Sequence, residues 1–435
     1  MKPGITFFAK GYSQLLSTPL LLGMLFVGAS DGHALTKSVL HSFSKGLDGA
    51  EPFGSLVFDA EGSLYGTTWE DGAYGYGAVF KLAHTDSVDW QETLIYSFKG
   101  GNDSGFPWAG LTIDPQGNLY GTTTDDSGLF GYGTVFKLTP AADGSWTESI
   151  LYAFRGGSDG GVPYSRLVLD SAGNLYGTTF EGGNLAACVG SASGCGVVFE
   201  LSPTSSGKWK ETVLYAFQSG GDGAFPEAGV IFDDKGNLYG TTAAGGVSPT
   251  CGTGCGTAFE LSPTAGGSWR ETVLHLFDLG PGGTDSNAPL VIDRTGNLYG
   301  TAHTGGLFGG NCDGAGCGVV FELSRNSDGS WGETVLHSFS GGSNDGSGPA
   351  EGGLTLDAHG NIYGTTAFGG VFDGGTVFKL SRAAGWKETL LHAFTAGNDG
   401  QYPFAAPLLD GSDNLYGTTA DGGEDNLGTV FRITR

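Results

Sequence analysis

Six cysteines fall into three close pairs, Cys188 with Cys195, Cys251 with Cys255 and Cys312 with Cys317, each inside one loop and each with its second cysteine just before a glycine. Such pairs suit either local disulfides or thiolate ligation of a metal. The Cys-x-x-Cys spacing of zinc sites is missing, and no histidine recurs beside the pairs. In an exported chain the even count therefore predicts three intra-loop disulfides. Short loops gain little from closure, about 2 to 3 kcal/mol each, so their main effect is to shape an exposed loop.

A second set of chemistry-bearing residues is acidic. Gly-rich segments like Gly100 to Pro107 each carry one aspartate: Asp48, Asp103, Asp159, Asp222, Asp285, Asp345 and Asp399. Calcium takes six to eight oxygen ligands, which makes Asp103, Asp159, Asp222 and Asp399 weak metal candidates and calcium the one cofactor to consider. Only one carboxylate per loop is regular, and the Asp-x-Asp-x-Asp spacing is absent, so turn formation accounts for them without a ligand. His41, His275, His337 and His392 occupy a place taken elsewhere by Tyr96, Tyr152 and Tyr215, an interchange that points to a structural slot. No His-Glu-x-x-His or phosphate loop occurs, and no catalytic residue is assigned.

The elements that position these residues are repeats. A Leu/Ile-Tyr-Gly core recurs at Leu64, Leu119, Leu175, Leu238, Leu298, Ile362 and Leu415, at spacings of 55, 56, 63, 60, 64 and 53 residues. A period of this length is the mark of a repeat architecture. Each unit holds four strand-like runs separated by Gly/Asn/Asp turns; in the second they are Gly110 to Asp114, Asn118 to Thr123, Gly133 to Leu138 and Glu148 to Phe154. Asp59, Asp114, Asp170, Asp233, Asp293, Asp357 and Asp410 end the first run and read as turn caps. Trp90, Trp146, Trp209, Trp269, Trp331 and Trp386 stand in the connection just before the fourth and read as packing plugs between units.

A fourth-strand run, Ser38 to Phe43, precedes the first complete unit, and the last unit stops after its third run at Gly428 to Ile433. Pairing the two closes a ring and removes its exposed edges. The sequence thus predicts an all-β fold, a seven-bladed β-propeller of four-stranded antiparallel blades over residues 35–435, closed by its N-terminal strand. An open solenoid has shorter repeats, of about 20 to 30 residues.

The motifs Gly-Asn-Leu-Tyr-Gly-Thr-Thr, Gly-Thr-Val-Phe-Lys-Leu, Glu-Thr-Val-Leu-Tyr-Ala-Phe and Gly-Gly-x-Asp-Gly together resemble the GloVer repeat of bacterial exported proteins, the choice-of-anchor tandem-repeat group. The resemblance covers nearly all of the chain after residue 34. It implies an exported, propeller-like protein with no enzymatic role established for the repeat as a class. Members often carry a C-terminal surface-sorting segment, which this sequence does not show. The Asp-x-x-Gly-Asn-Leu-Tyr turn also looks like that of NHL and gluconolactonase-type propellers, whose metal ligands have no residue-by-residue counterparts here.

Residues 1–34 read as an export signal, with Lys2 and Lys10 ahead of an apolar run from Pro19 to Ala29 and cleavage after Ser30 or, preferably, Ala34. The run is shorter than the roughly 20 apolar residues of a spanning helix, so no membrane span is expected in the mature chain. The formal charge is −25, and removing Lys2, Lys10 and Asp31 (net +1) gives −26. That charge excludes nucleic acid as a partner, since phosphate contacts need clustered Lys and Arg. The reading is a monomeric secreted, periplasmic or cell-surface binding module for an extracellular glycan or protein. The alternative is a carbohydrate-active enzyme using acidic residues of the loop face.

Overall fold

The turn closing each first strand is built by one aspartate. In the second unit Asp114 Oδ1 accepts hydrogen bonds from the backbone N–H groups of Gln116 and Asn118, both at 2.9 Å, and Oδ2 accepts from Asn118 Nδ2 at 2.7 Å and Tyr120 Oη at 3.0 Å. Gly117 takes the left-handed conformation at φ 80° that closes the turn. Burial opposes ionisation of Asp114, but these bonds outweigh it and hold the carboxyl below its usual range. The same turn recurs at Asp59, Asp170, Asp233, Asp293, Asp357 and Asp410. Turn capping therefore accounts for this aspartate set.

The computed structural model describes residues 35–434 except 45, 85–88, 125–130, 189–190, 248–250, 253, 308–311, 313 and 350–351. The proposed leader, residues 1–34, lies outside the described residues. In the second unit the strands are Thr112–Ile113, Leu119–Thr123, Thr134–Pro140 and Trp146–Ala153. The first is shorter than expected. Strands pair antiparallel in chain order to make seven sheets, the blades. The sixth blade adds a strand, Gly346–Pro349, along its second strand Ile362–Gly369. The seventh is completed by Thr36–Ser42 pairing with Thr429–Thr434, so the N-terminal strand closes the ring as predicted. Among the described residues there is no helix long and apolar enough to cross a membrane.

The second strand is buried along its whole length, which places it mid-blade. Its glycine has a steric cause: a Cβ on Gly121 would lie 2.5 Å from Cζ of Phe136, the cross-strand partner on the third strand. Phe136 in turn meets Phe98 at the end of the preceding blade's fourth strand, 5.1 Å centroid to centroid and edge-on, the geometry favoured by aromatic quadrupoles. This pair recurs at all seven blade boundaries, including Phe394–Phe431 and Phe43–Phe80 on either side of the closing strand. The tryptophans also bridge blades as predicted: Trp146 packs on Tyr65, Trp209 on Tyr120 and Trp386 on Tyr299.

Between third and fourth strands the register slips once per blade, at the same place. In the second blade Val135 pairs with Tyr152 and Phe136 with Ile150, leaving Leu151 as a bulge. A bulge re-aims the side chain beside it. That side chain is the Tyr or His of the interchangeable slot.

Candidate functional site: the blade junctions and the channel mouth

The fourth-to-first and second-to-third connections emerge on one face, where isolated bridges such as Ala50–Glu70, Ala224–Ala244 and Gln401–Asp421 join them. The re-aimed residue meets the loop aspartate there. Tyr96 Oη donates to Asp103 Oδ1 at 2.5 Å, Tyr152 to Asp159 at 3.0 Å and Tyr215 to Asp222 at 2.9 Å. His41, His337 and His392 put Nε2 at 3.3, 3.4 and 3.0 Å from Asp48, Asp345 and Asp399. Each aspartate also accepts a backbone N–H from the residue leaving the fourth strand, for example Lys99 to Asp103 and Gln218 to Asp222. The slot and the loop aspartate thus form one structural unit.

Asp285 departs from that set. Gly282 stands seven residues after His275, where Asp103 stands relative to Tyr96. A Cβ there would lie 2.3 Å from Glu333 Oε2, and the glutamate fills the place. The two-glycine loop of this repeat shifted the apparent alignment.

A partner not recognised from sequence completes each junction. The glutamate of Trp-x-Glu-Thr reaches back from the next blade: Glu92, Glu148, Glu211, Glu271, Glu333 and Glu388 each keep a buried Oε1 without a hydrogen-bond partner. Burial is the main cause that pushes Glu92, Glu148, Glu211 and Glu271 up to about 7, and the facing Asp48, Asp103, Asp159 and Asp222 add to it. The seventh junction differs. The closing strand has Lys37 at the glutamate position, and its Nζ lies 2.7 Å from Asp399 Oδ1. Asp399 is depressed despite its burial by hydrogen bonds from His392 and Lys37. Of the sequence's metal candidates, Asp103, Asp159 and Asp222 are thus bonded to tyrosines and Asp399 to Lys37.

The three disulfides form within their loops as predicted, with Cα–Cα distances of 5.5, 5.5 and 5.4 Å. Their second cysteines also tie the blades together. The backbone N–H groups of Phe225, Asp285 and Gly348, each in the following blade, donate to the carbonyls of Cys195, Cys255 and Cys317 at 2.9, 3.4 and 2.9 Å. Tyr76 and Tyr132 supply the equivalent carbonyls to Phe106 and Val162.

The donors of these clasps share a strained backbone. Glu51, Phe106, Val162, Phe225, Asp285 and Tyr402 all have φ between 55° and 66°, a conformation that costs a non-glycine residue about 1 to 2 kcal/mol. They enter the innermost strands, whose flanking backbones nearly touch: Gly110 meets Ser55, and Gly229 meets Arg166. Strain of this kind persists where surrounding structure over-determines it, often at functional sites.

Two residues further on is a position whose chemistry changes around the ring. It holds Phe404, Phe53, Trp108 and Tyr164 on four consecutive blades, then Glu227 and Asn287, with Ala350 outside the described residues. The four aromatics are half-buried neighbours: Phe404–Phe53 5.4 Å, Phe53–Trp108 4.3 Å and stacked, Trp108–Tyr164 5.9 Å. Trp69 and Phe180 back them. On the polar arc Asn287 has a buried Oδ1 without a partner. Asp285 is raised above the usual carboxylate range by burial, opposed by His303 and by a hydrogen bond from Asn287. The arc went unseen in the sequence because the residue changes around the ring, only Phe53 and Phe404 being alike; the signal was a variable aromatic directly after a recurrent proline.

Residues 22–246 and 307–435 match the Gloeobacter/Verrucomicrobia repeat. Among solved structures the chain is similar to a candidate 6-phosphogluconolactonase from Bacteroides uniformis, at 12% identity and TM-score 0.47, over 78% of this chain and 83% of that one. It is also similar to PorZ, a surface component of the type-IX secretion system of Porphyromonas gingivalis, at 15% identity and TM-score 0.41, over 84% of this chain and 45% of that one. No curated protein matches.

Proposed function

We propose, from the premise that this chain belongs to the Gloeobacter/Verrucomicrobia repeat family, that it is an exported binding module taking an extracellular glycan at the channel mouth. The observation that carries this reading is the division of one ring of positions into an aromatic arc, Phe404, Phe53, Trp108 and Tyr164, and a polar arc that includes Asn287. A sugar ring offers apolar faces and hydroxyl edges. Aromatic planes with a few convergent polar groups suit both. The disulfide-stiffened loops of blades three to five stand beside the polar arc and border the same face. Disulfides and a strongly acidic chain agree with a location outside the cytoplasm, and residues 1–34 supply the leader.

The test is a glycan array with the purified chain, followed by titration of any glycan it retains. Trp108→Ala and Asn287→Ala should each weaken binding, the tryptophan by about 2 kcal/mol or more, with melting temperatures checked in parallel. A wild-type chain that retains no glycan, or variants that bind as well as it does, would sink the reading.

A hydrolase or lyase is the second reading, favoured by Asp285 beside His303, whose carboxyl is raised by burial, the direction a general acid requires. Asp285→Asn would then abolish turnover while leaving glycan binding in place.

A further inference from the structure

We propose that the junction between blades five and six is a binding site for one divalent transition-metal ion of the zinc class, held by His337, Asp345 and Glu388. His337 Nε2 lies 3.4 Å from Asp345 Oδ1 and 3.9 Å from Glu388 Oε2, and one ligand atom from each of the three falls within 4.8 Å of the others. Ligands about 2.1 Å from a tetrahedral ion are about 3.4 Å apart. The His337–Asp345 separation is that of two ligands on one ion, and Glu388 stands close enough to join them by a small side-chain adjustment. One imidazole and two carboxylates are a donor set for zinc or manganese. Calcium, which needs six to eight oxygens, is poorly served.

The next junction around the ring points to a cation. At the following junction the same His–Asp pair, His392 and Asp399, meets Lys37 in place of the glutamate, and the ammonium sits 2.7 Å from the carboxylate. There the chain supplies its own positive charge. Between blades five and six it offers one more negative charge instead, and the ion is the counterpart of that ammonium.

The site is also braced as a metal site requires. Asp345 Oδ2 accepts from both Ser340 N–H and Ser340 Oγ at 2.7 Å, and Oδ1 accepts from Gly346 N–H at 2.7 Å. Other junctions lack a part. The one before has His275 and Glu333 but Gly282 where the aspartate would be, and those around Tyr96, Tyr152 and Tyr215 lack the imidazole. His41, Asp48 and Glu92 are the same three types, but they do not gather as closely. The loop that Asp345 anchors also forms one wall, through Gly341, Ser343 and Ser347, of an open groove of about 460 Å³ that Cys312 and Phe372 also line. Metal binding would set the position of that wall.

The full chain, stripped with a chelator and dialysed, is titrated with zinc(II) and with manganese(II) by calorimetry and by thermal melting. Wild type should bind one ion and melt higher with it. Glu388→Gln should weaken binding at least about tenfold. So should His337→Tyr, which recreates the Tyr–Asp pair of blades one to three and so keeps the fold. Glu92→Gln should bind as wild type does. A wild-type chain that binds neither metal, binding unchanged in both Glu388→Gln and His337→Tyr, or binding lost in Glu92→Gln alone would each overturn the assignment.

Discussion

Lys37 and Asp399 stand 362 residues apart in sequence and 2.7 Å apart in space, and they join the first strand of the propeller to the loop between blades six and seven. The lysine side chain is only 9% exposed and the aspartate 20%. Removing one partner of so sheltered a pair leaves an uncompensated charge, which costs about 3 to 5 kcal/mol when fully buried. Lys37→Met should lower stability by about 2 to 3 kcal/mol, given the residual exposure and the remaining His392 contact. Denaturant unfolding of the two proteins measures it, and equal midpoints would show that the pair does not hold the ring shut.

Stability should fall as pH rises from about 5 to 8. Glu148 is held near 7 in the folded chain against an ordinary 4.5, so the folded state binds the extra proton between those values. Its contribution is fully present below about pH 4.5 and lost above 7. Glu92, Glu211 and Glu271 act in the same direction. The turn aspartates, with depressed values, oppose this only below about pH 4. Melting temperature should therefore peak in mildly acidic buffer. Glu148→Gln, which keeps the shape and removes the charge, should be the more stable protein at pH 8 and shallower in its pH response.

Gly121→Ala should destabilise by about 1 to 3 kcal/mol, because a methyl group 2.5 Å from the Phe136 ring overpacks a full core. Gly117→Ala tests the other cause of glycine, a left-handed turn where an added Cβ would meet only Pro140 Cγ at 3.9 Å, an ordinary contact, and should cost about 1 kcal/mol. Calorimetric melting distinguishes the two, and equal losses would mean that packing under the phenylalanine is not the reason for that glycine.

Reduction of the three disulfides should lower the melting temperature without opening the ring, since loops this short contribute about 2 kcal/mol each by closure and the clasps made by Cys195, Cys255 and Cys317 use backbone carbonyls. Far-ultraviolet dichroism at 25 °C should be unchanged by reductant, and peptide mapping should recover each pair within one loop. Cross-loop pairs would contradict the structure.

The ring, its closure and the turn aspartates were legible because they are local and repeated: Asp114 to Tyr120 lie within one turn, and seven copies declare the period. The junctions were half legible. Tyr96 and Asp103 are seven residues apart and their interchange with His could be counted, but Glu148 joins them from the next blade, and sequence alone does not show that a fourth-strand glutamate faces the previous loop. Asp285 misled because an irregular loop put an acidic residue near the anticipated place while Gly282 held it. The aromatic arc stayed hidden for the opposite reason from the repeats. What distinguishes Trp108 from Glu227 is that they differ, and periodicity reports only what recurs.

The closing strand also sets an order of events. Thr36–Ser42 is the first of the described segments to be synthesised, and its partner Thr429–Thr434 is the last. Until Thr429–Thr434 has been made the early strand has no edge to join, and both it and the growing array must carry an unpaired edge, the situation in which β-proteins aggregate or pair with a second copy. Contacts of such long sequence separation are slow to form. The last step of folding is therefore a meeting of the two ends, and Lys37, waiting for Asp399, makes that meeting electrostatically specific: at the other junctions a glutamate stands in its place.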